Sequence, residues 1–138
     1  MSDITKDQFW NALNEPEPVI SYRYGYKILT WFDRYDKLHR ENDLPAAIWY
    51  HKDGSIYRQY WYQNNKRHRI GGPAVIWYDI KGNIEEKCWY QYGKKHRING
   101  PAEIWSIKDG SVFKKDWYLN GKEYTEEDYW QKMKGIEC

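Results

Sequence analysis

Three segments of this chain are copies of one another, and that self-similarity limits the fold more than any other feature of the sequence. HRENDLPAAIWYHKDGSIYRQYWYQNNKR begins at His39, HRIGGPAVIWYDIKGNIEEKCWYQYGKK at His68 and HRINGPAEIWSIKDGSVFKKDWYLNGKE at His96, so the starts lie 29 and 28 residues apart. In each copy Pro-Ala is followed by Ile-Trp, a turn glycine and Trp-Tyr. These are Pro45, Trp49, Gly54 and Trp61, then Pro73, Trp77, Gly82 and Trp89, then Pro101, Trp105, Gly110 and Trp117. The offsets from proline are identical, and only the first His-to-Pro loop is one residue longer. Upstream, YGYKILTWFDRYDKLHR resembles the second half of a decayed unit, with Gly25 and Trp31 in the corresponding places. A period of this length belongs to arrays whose units bury apolar surface against their neighbours.

Each copy holds two runs of about six residues around Asp53-Gly54, Lys81-Gly82 or Asp109-Gly110, the dipeptides that favour tight hairpins. A second turn follows each Trp-Tyr, at Asn64-Asn65, Tyr92-Gly93 and Asn120-Gly121, where Gly or Asn takes a positive φ at little cost. The chain then returns through His-Arg and turns again before proline. The expected fold is therefore mainly β, an antiparallel meander of about 3.5 repeats of 28 residues. A two-residue turn at Asp53-Gly54 sets Trp49 opposite Arg58 and Tyr50 opposite Tyr57; the same register sets Trp77 opposite Glu86 and Trp105 opposite Lys114. Because Trp and Tyr are sequence neighbours, rings stand on both faces, with Lys and Arg stems covering them.

Both ends read as short helices that cap the array. Thr5 and Gln8 form a capping-box pattern, Phe9, Trp10 and Leu13 share a face, and Pro16 and Pro18 stop the helix. At the other end Thr125 and Asp128 form a cap, Tyr129, Trp130 and Met133 share a face, and Gly135 ends the helix. The chain divides, as one domain, into a helical cap and linker (1–18), a degenerate half repeat (19–38), repeats at 39–67, 68–95 and 96–123, and a second helical cap (124–138).

Composition bounds what such an array does. Twenty-six aromatic side chains stand against 21 of Ile, Leu and Val, so the core is built from rings, which suit strands. A net charge of +2 gives no global field toward nucleic acid or an anionic membrane, leaving any such role to local clusters. Two cysteines, Cys88 and Cys138, make no disulfide framework, and no apolar run reaches the ~20 residues that span a bilayer. The polar, acidic start is unlike a secretory signal, and a cytoplasmic setting is the expectation.

The strings HRENDLPA, HRIGGPAVIWY, HRINGPAEIW and WYLNGK resemble the His-Arg-x-x-Gly-Pro-Ala and His-Arg-x-Asn-Asp-Leu-Pro-Ala repeats of giant DNA viruses and bacteriophages, distant relatives of the MORN-type and YwqK-type β-hairpin repeats. The resemblance covers residues 25–124. MORN modules act as scaffolds for protein contacts, and some are linked to lipids. It therefore implies a binding or interaction protein of viral or phage type. The longer period and the repeated His-Arg depart from the MORN pattern and leave the lipid association without support.

The recurring His-Arg pairs, His39-Arg40, His68-Arg69 and His96-Arg97, are the first candidates for chemistry. In a regular array they lie at least two strand spacings apart, roughly 10 Å, too far to share a zinc ion. No Ser, Cys or carboxylate recurs beside them as a catalytic companion. In a structural role His bonds a loop carbonyl and Arg stacks on a neighbouring Trp. In a binding role Lys66-Arg67-His68-Arg69 and Lys94-Lys95-His96-Arg97 form a cationic ladder beside aromatic rings, the chemistry that holds phosphates and stacks bases. Cys88 stands where Tyr60 and Asp116 stand in sister repeats, the pattern of a tolerated replacement. Asp53, Asp79 and Asp109 give one carboxylate per turn, a weak calcium signal. The binding candidates are Trp49, Trp77, Trp105, Arg40, Lys66, His68, Arg69, Lys94, His96 and Arg97, with no catalytic residue, metal or cofactor. The leading expectation is a non-enzymatic protein that binds a protein partner through an aromatic and basic sheet face, such as a viral or phage inhibitor of a host defence complex. The alternatives are a nucleotide or single-stranded nucleic-acid binder with Arg69 and Arg97 on phosphate and Trp77 or Trp105 under a base, and a purely structural scaffold. An open sheet edge leaves room for a homodimer.

Overall fold

A computed structural model describes residues 15–136, so the expected N-terminal helix with Phe9, Trp10 and Leu13 lies outside the described residues. The described chain is mainly β. Its strands are β1 (Val19–Arg23), β2 (Tyr26–Thr30), β3 (Ala47–Tyr50), β4 (Ile56–Tyr60), β5 (Tyr62–Gln63), β6 (Lys66–Arg67), β7 (Val75–Tyr78), β8 (Ile84–Cys88), β9 (Tyr90–Gln91), β10 (Lys94–Lys95), β11 (Glu103–Ser106), β12 (Val112–Leu119) and β13 (Lys122–Tyr124). Helix α1 (Glu126–Ile136) follows. Nine strands form one antiparallel sheet in the order β1-β2-β3-β4-β7-β8-β11-β12-β13, and β5-β6 and β9-β10 are separate two-stranded ribbons. No helix among the described residues is long and apolar enough to cross a membrane.

The long hairpins pair Trp49 with Arg58, Trp77 with Glu86 and Trp105 with Lys114, as the sequence register requires. Tyr50, however, faces Ile56 rather than Tyr57. The turn has three residues, Lys52-Asp53-Gly54, closed by His51 N–H to Ser55 O at 2.8 Å, with Gly54 at φ 91°. That longer turn shifts the register by one, and a β-bulge beside Tyr50 shifts it back before Trp49. The turn aspartates are occupied locally: Asp53 and Asp109 accept from Ser55 N–H and Ser111 N–H, and Asp79 accepts from Lys81 N–H and Asn83 N–H. Hydrogen bonding of this kind holds all three carboxylates below their usual pKa.

The second turns are the two-residue kind in which both residues take positive φ, at Asn64 (51°) and Asn65 (67°), Tyr92 (49°) and Gly93 (84°), and Asn120 (49°) and Gly121 (83°). Each short hairpin bonds to the preceding one: Asn65 N–H to Leu38 O at 3.0 Å, Gly93 N–H to Arg67 O at 2.8 Å and Gly121 N–H to Lys95 O at 2.8 Å. The array is thus stitched twice, through the main sheet and through these ribbons.

Alternation puts Ala47, Tyr60, Val75 and Cys88 on one face, where they form a buried row against which Trp49, Trp77, Tyr62 and Tyr90 pack. Trp61, Ala74 and Ile76 form a cluster on the other face. At the C-terminal end α1 covers the last strands, packing Tyr129 and Met133 on Trp117 and Leu119. Thr125 caps this helix, its Oγ1 accepting from Asp128 N–H at 3.1 Å. Tyr129 and Met133 are buried, while Trp130 is 39% exposed and leans edge-on against Trp117. Gly135 lies inside the helix instead of ending it.

α1 also replaces a missing side chain. Gln63 and Gln91 donate through Nε2 to Arg40 O and Arg69 O, both at 2.9 Å, tying each His-Arg loop to its own hairpin. The aligned residue of the last copy is Leu119, which has no donor. There Tyr129 Oη donates to Arg97 O at 2.5 Å and accepts from Gly100 N–H at 3.1 Å.

Candidate interaction surface

Every His-Arg loop is built the same way. The histidine N–H bonds the carbonyl of the preceding Trp, from His39 to Trp31 O, His68 to Trp61 O and His96 to Trp89 O. The arginine then folds over that same indole. Arg40, Arg69 and Arg97 place Cζ 3.8, 3.9 and 3.8 Å from the ring centroids of Trp31, Trp61 and Trp89. Each also donates through NH1 to its loop's proline carbonyl, Pro45 O at 3.2 Å, Pro73 O at 3.1 Å and Pro101 O at 3.0 Å. In the second and third loops the guanidinium also lies close over the loop glycine, since a Cβ on Gly72 or Gly100 would sit 3.1 or 2.7 Å from its Cζ, and the NH1 bond to proline leaves Nε and NH2 to other partners.

The histidines do not bond loop carbonyls as the sequence suggested. Their Nδ1 atoms accept backbone N–H groups from the next short turn: Asn64 to His39 at 3.4 Å, Tyr92 to His68 at 3.0 Å and Asn120 to His96 at 2.9 Å. A two-residue hairpin leaves its first turn N–H outside the ladder, and the imidazole satisfies it. An accepting Nδ1 requires the neutral ring, and burial pushes the pKa of His68 and His96 down in the same sense. Lys66 and Lys94 are exposed at their ammonium ends, with stems lying across Gly93 and Gly121 of the following hairpins.

Along one side of the array these parts line three grooves in matching positions: one at Glu15, Trp31, His39 and Arg40, one at Asp43, Trp61, His68 and Arg69, and one at Gly71, Gly72, Trp89, His96 and Arg97. The second and third have volumes of about 550 and 530 Å³, whereas the first, which Glu15 helps to line, is nearly closed at about 10 Å³. Two are bridged internally by carboxylates. Glu15 Oε1 accepts from Arg40 Nε at 2.6 Å, while Asp43 accepts from Arg69 Nε at 2.8 Å and NH2 at 3.2 Å.

Trp49, Trp77 and Trp105 form a different site from Arg69 and Arg97. They stand half-buried in a cross-strand row that reads Ile28, Trp49, Arg58, Trp77, Glu86, Trp105, Lys114. Arg58 lies 3.9 Å from the Trp77 centroid and 5.6 Å from that of Trp49, and Trp77 meets Trp105 edge-on at 6.2 Å. Arg69 stacks on Trp61, whose cluster includes Ile76, the sequence neighbour of Trp77 on the opposite face. The fold therefore does not bring Arg69 together with Trp77.

One charged cluster escaped the sequence reading. Glu86, Cys88 and Glu103 are buried, with ligand atoms within 4.8 Å of one another. Lys95 Nζ donates to Glu103 Oε2 at 2.8 Å, supplying the positive charge a cation would bring. Burial, then the adjacent Glu103, pushes the Glu86 carboxyl up to about 7, so it holds a proton near neutrality. Burial acts against Glu103 as well, but hydrogen bonds from Lys95 and Glu86 outweigh it and keep that carboxyl ionised. Burial and the same carboxylates push the Cys88 thiol up to about 12, which makes it a core side chain rather than a nucleophile. The signal was available: Glu86 lies two residues before Cys88 on β8, hence on the same face, and Glu103 stands opposite Cys88 on β11.

Comparison with family models, curated proteins and solved structures yields no match to this chain.

Proposed function

We propose that this chain is a non-enzymatic repeat protein, built from about three and a half units, that binds a protein partner along its row of His-Arg loops. The observation that carries the reading is the recurrence of one loop three times down one side of the array, each with an arginine stacked on an indole, the second and third opening on grooves of about 550 and 530 Å³ rimmed by exposed side chains. Ile70 is 79% exposed, Tyr92 73% and Ile98 46% on this rim, a mixture of Arg, aromatic and aliphatic surface typical of interface centres. The histidines accept backbone N–H groups and the arginines hold proline carbonyls, so neither is paired with a nucleophile for chemistry. The resemblance to phage and giant-virus repeats supports the same reading and points to a host protein as the partner, an inhibitor of a defence complex in the cytoplasm being the form that fits.

A nucleic-acid reading draws on exposed Lys66 and Lys94, but it needs Arg69 on phosphate beside Trp77, and the Asp43 carboxylate occupies the Arg69 fork while Trp77 packs in a different cluster from the Trp61 that Arg69 covers. Site-specific photocrosslinking separates the two. A photoreactive residue at Ile98 is expected to capture one protein in cells that make this chain, while the same residue at Ile80, beside the Lys81-Gly82 turn, captures none. A nucleic-acid adduct at 98, or equal protein capture from both positions, sinks the proposal.

A further inference from the structure

We infer that the groove at Arg97 is an open carboxylate-binding site that takes an Asp or Glu side chain of a partner protein; this rests on the reading of the His-Arg loops as the interaction surface. The chain itself shows which ligand such a site accepts. Arg40, Arg69 and Arg97 share one geometry, stacked 3.8–3.9 Å above an indole with NH1 fixed on a proline carbonyl. In the first two the remaining edge of the guanidinium is met by a carboxylate reaching from the preceding segment, Glu15 on Arg40 and Asp43 on Arg69. Asp43 takes Nε and NH2 together, the two-point match between guanidinium and carboxylate.

At Arg97 no carboxylate arrives from any described residue. The position aligned with Asp43, two residues before the loop proline, is Gly71, and both take a left-handed backbone, φ 56° at Asp43 and 86° at Gly71. A Cβ built on Gly71 meets nothing within 4 Å, so the space that Asp43 fills one repeat earlier is open here. The groove of about 530 Å³ at this place has no acidic residue in its lining, which includes Arg69 and Arg97. Burial without a carboxylate pushes the Arg97 pKa down, the mark of a partly desolvated cation lacking its counter-charge. The pattern is two internally bridged arginines and one of the same stacked geometry that is left without a carboxylate, in a groove whose lining carries two arginines and no acidic residue. A planar carboxylate matches the fork as Asp43 does, and a side chain on a partner surface would reach Arg97 from the direction Gly71 leaves clear.

The test follows the Nε–Hε resonances of the folded full-length chain by NMR, with Ac-Gly-Asp-Gly-amide, sodium acetate and inorganic phosphate as probes. The Arg97 resonance is expected to shift saturably at millimolar peptide or acetate while that of Arg69, already bridged, stays still. Asp43→Asn should open the sister site, so that Arg69 responds too. Gly71→Asp should silence Arg97 by supplying the carboxylate internally, in a backbone conformation that Asp43 already adopts. Arg97→Lys keeps the charge but loses the fork, and is expected to weaken peptide binding at least tenfold. Peptide that leaves Arg97 unmoved overturns the site. Phosphate that binds tighter than both carboxylates overturns its assignment to acidic side chains. A responsive Arg97 in a chain that crosslinks no protein from position 98 overturns the interaction reading alone, and the reverse outcome overturns this one alone.

Discussion

Replacing one hydroxyl should show how the last repeat is closed. Tyr129 is fully buried, and its Oη joins two backbone groups of the third His-Arg loop, donating to Arg97 O at 2.5 Å and accepting from Gly100 N–H at 3.1 Å. Tyr129→Phe keeps the ring against Trp117, 4.9 Å away between centroids, and removes only the oxygen. Both backbone groups then lose their partner in a place where α1 excludes water. Each buried polar group left unsatisfied costs about 1–3 kcal/mol, so the loss of both should be about 2–6 kcal/mol. For a chain of this size that is about 10 °C in Tm, a large part of the 5–15 kcal/mol typical of folded domains. Gln91→Leu serves as the internal comparison, because it removes a single half-buried bond to Arg69 O and should cost about 1 kcal/mol. Chemical denaturation monitored by tryptophan fluorescence measures both. A Tyr129→Phe chain within 0.5 kcal/mol of wild type, or no less stable than Gln91→Leu, would refute the idea that α1 replaces the missing glutamine (thresholds set at about the usual noise of surface substitutions).

Glu86 holds a carboxyl pushed up to about 7, so the folded state keeps a proton that the unfolded state releases near 4.5. Wild-type stability should therefore fall, relative to Glu86→Gln, as pH rises from about 4.5 to 7, by at most about 3 kcal/mol, and level off above; parallel curves would contradict the buried shared proton. His68 and His96 have lowered pKa values and accept N–H groups through Nδ1, so their contribution is present above pH 6.5 and lost as pH falls through the lowered values. Measured in the Glu86→Gln background, the double variant His68→Asn with His96→Asn should lose that acid-side slope. In a Cys138→Ser chain Cys88, buried with its thiol pushed up to about 12, should resist a thiol reagent in the native state and react only on unfolding; native-state labelling at the rate of a free thiol would show the site to be open.

The hairpins were legible because the repeat fixes offsets and a hairpin converts offsets into cross-strand partners. Trp49 with Arg58 and Trp77 with Glu86 follow from that arithmetic. Tyr50 with Tyr57 did not survive, since turn length and bulge are set by local backbone energies that compensate each other and leave no trace in the spacing. The recurrence of His-Arg announced a feature built once per repeat, and the stacking of arginine on indole followed from composition. Its carboxylate partners were hidden, because Asp43 reaches Arg69 across 26 residues and the link depends on how one loop overhangs the next. The visible sign was an aspartate at 43 where the aligned positions carry Gly71 and Asn99. Tyr129 was legible as a core residue of a capping helix, but its bond to the Arg97 loop depends on Leu119 lacking the amide that Gln63 and Gln91 carry.

The central claim, that the His-Arg side of the array receives a protein through the open Arg97 groove, is tested most directly by photocrosslinking from position 98 in the natural chain and in Gly71→Asp. The account predicts one protein adduct in the first and its loss in the second, with both chains equally folded. An adduct that persists unchanged when the introduced carboxylate plugs the groove, or one that consists of nucleic acid, would contradict it.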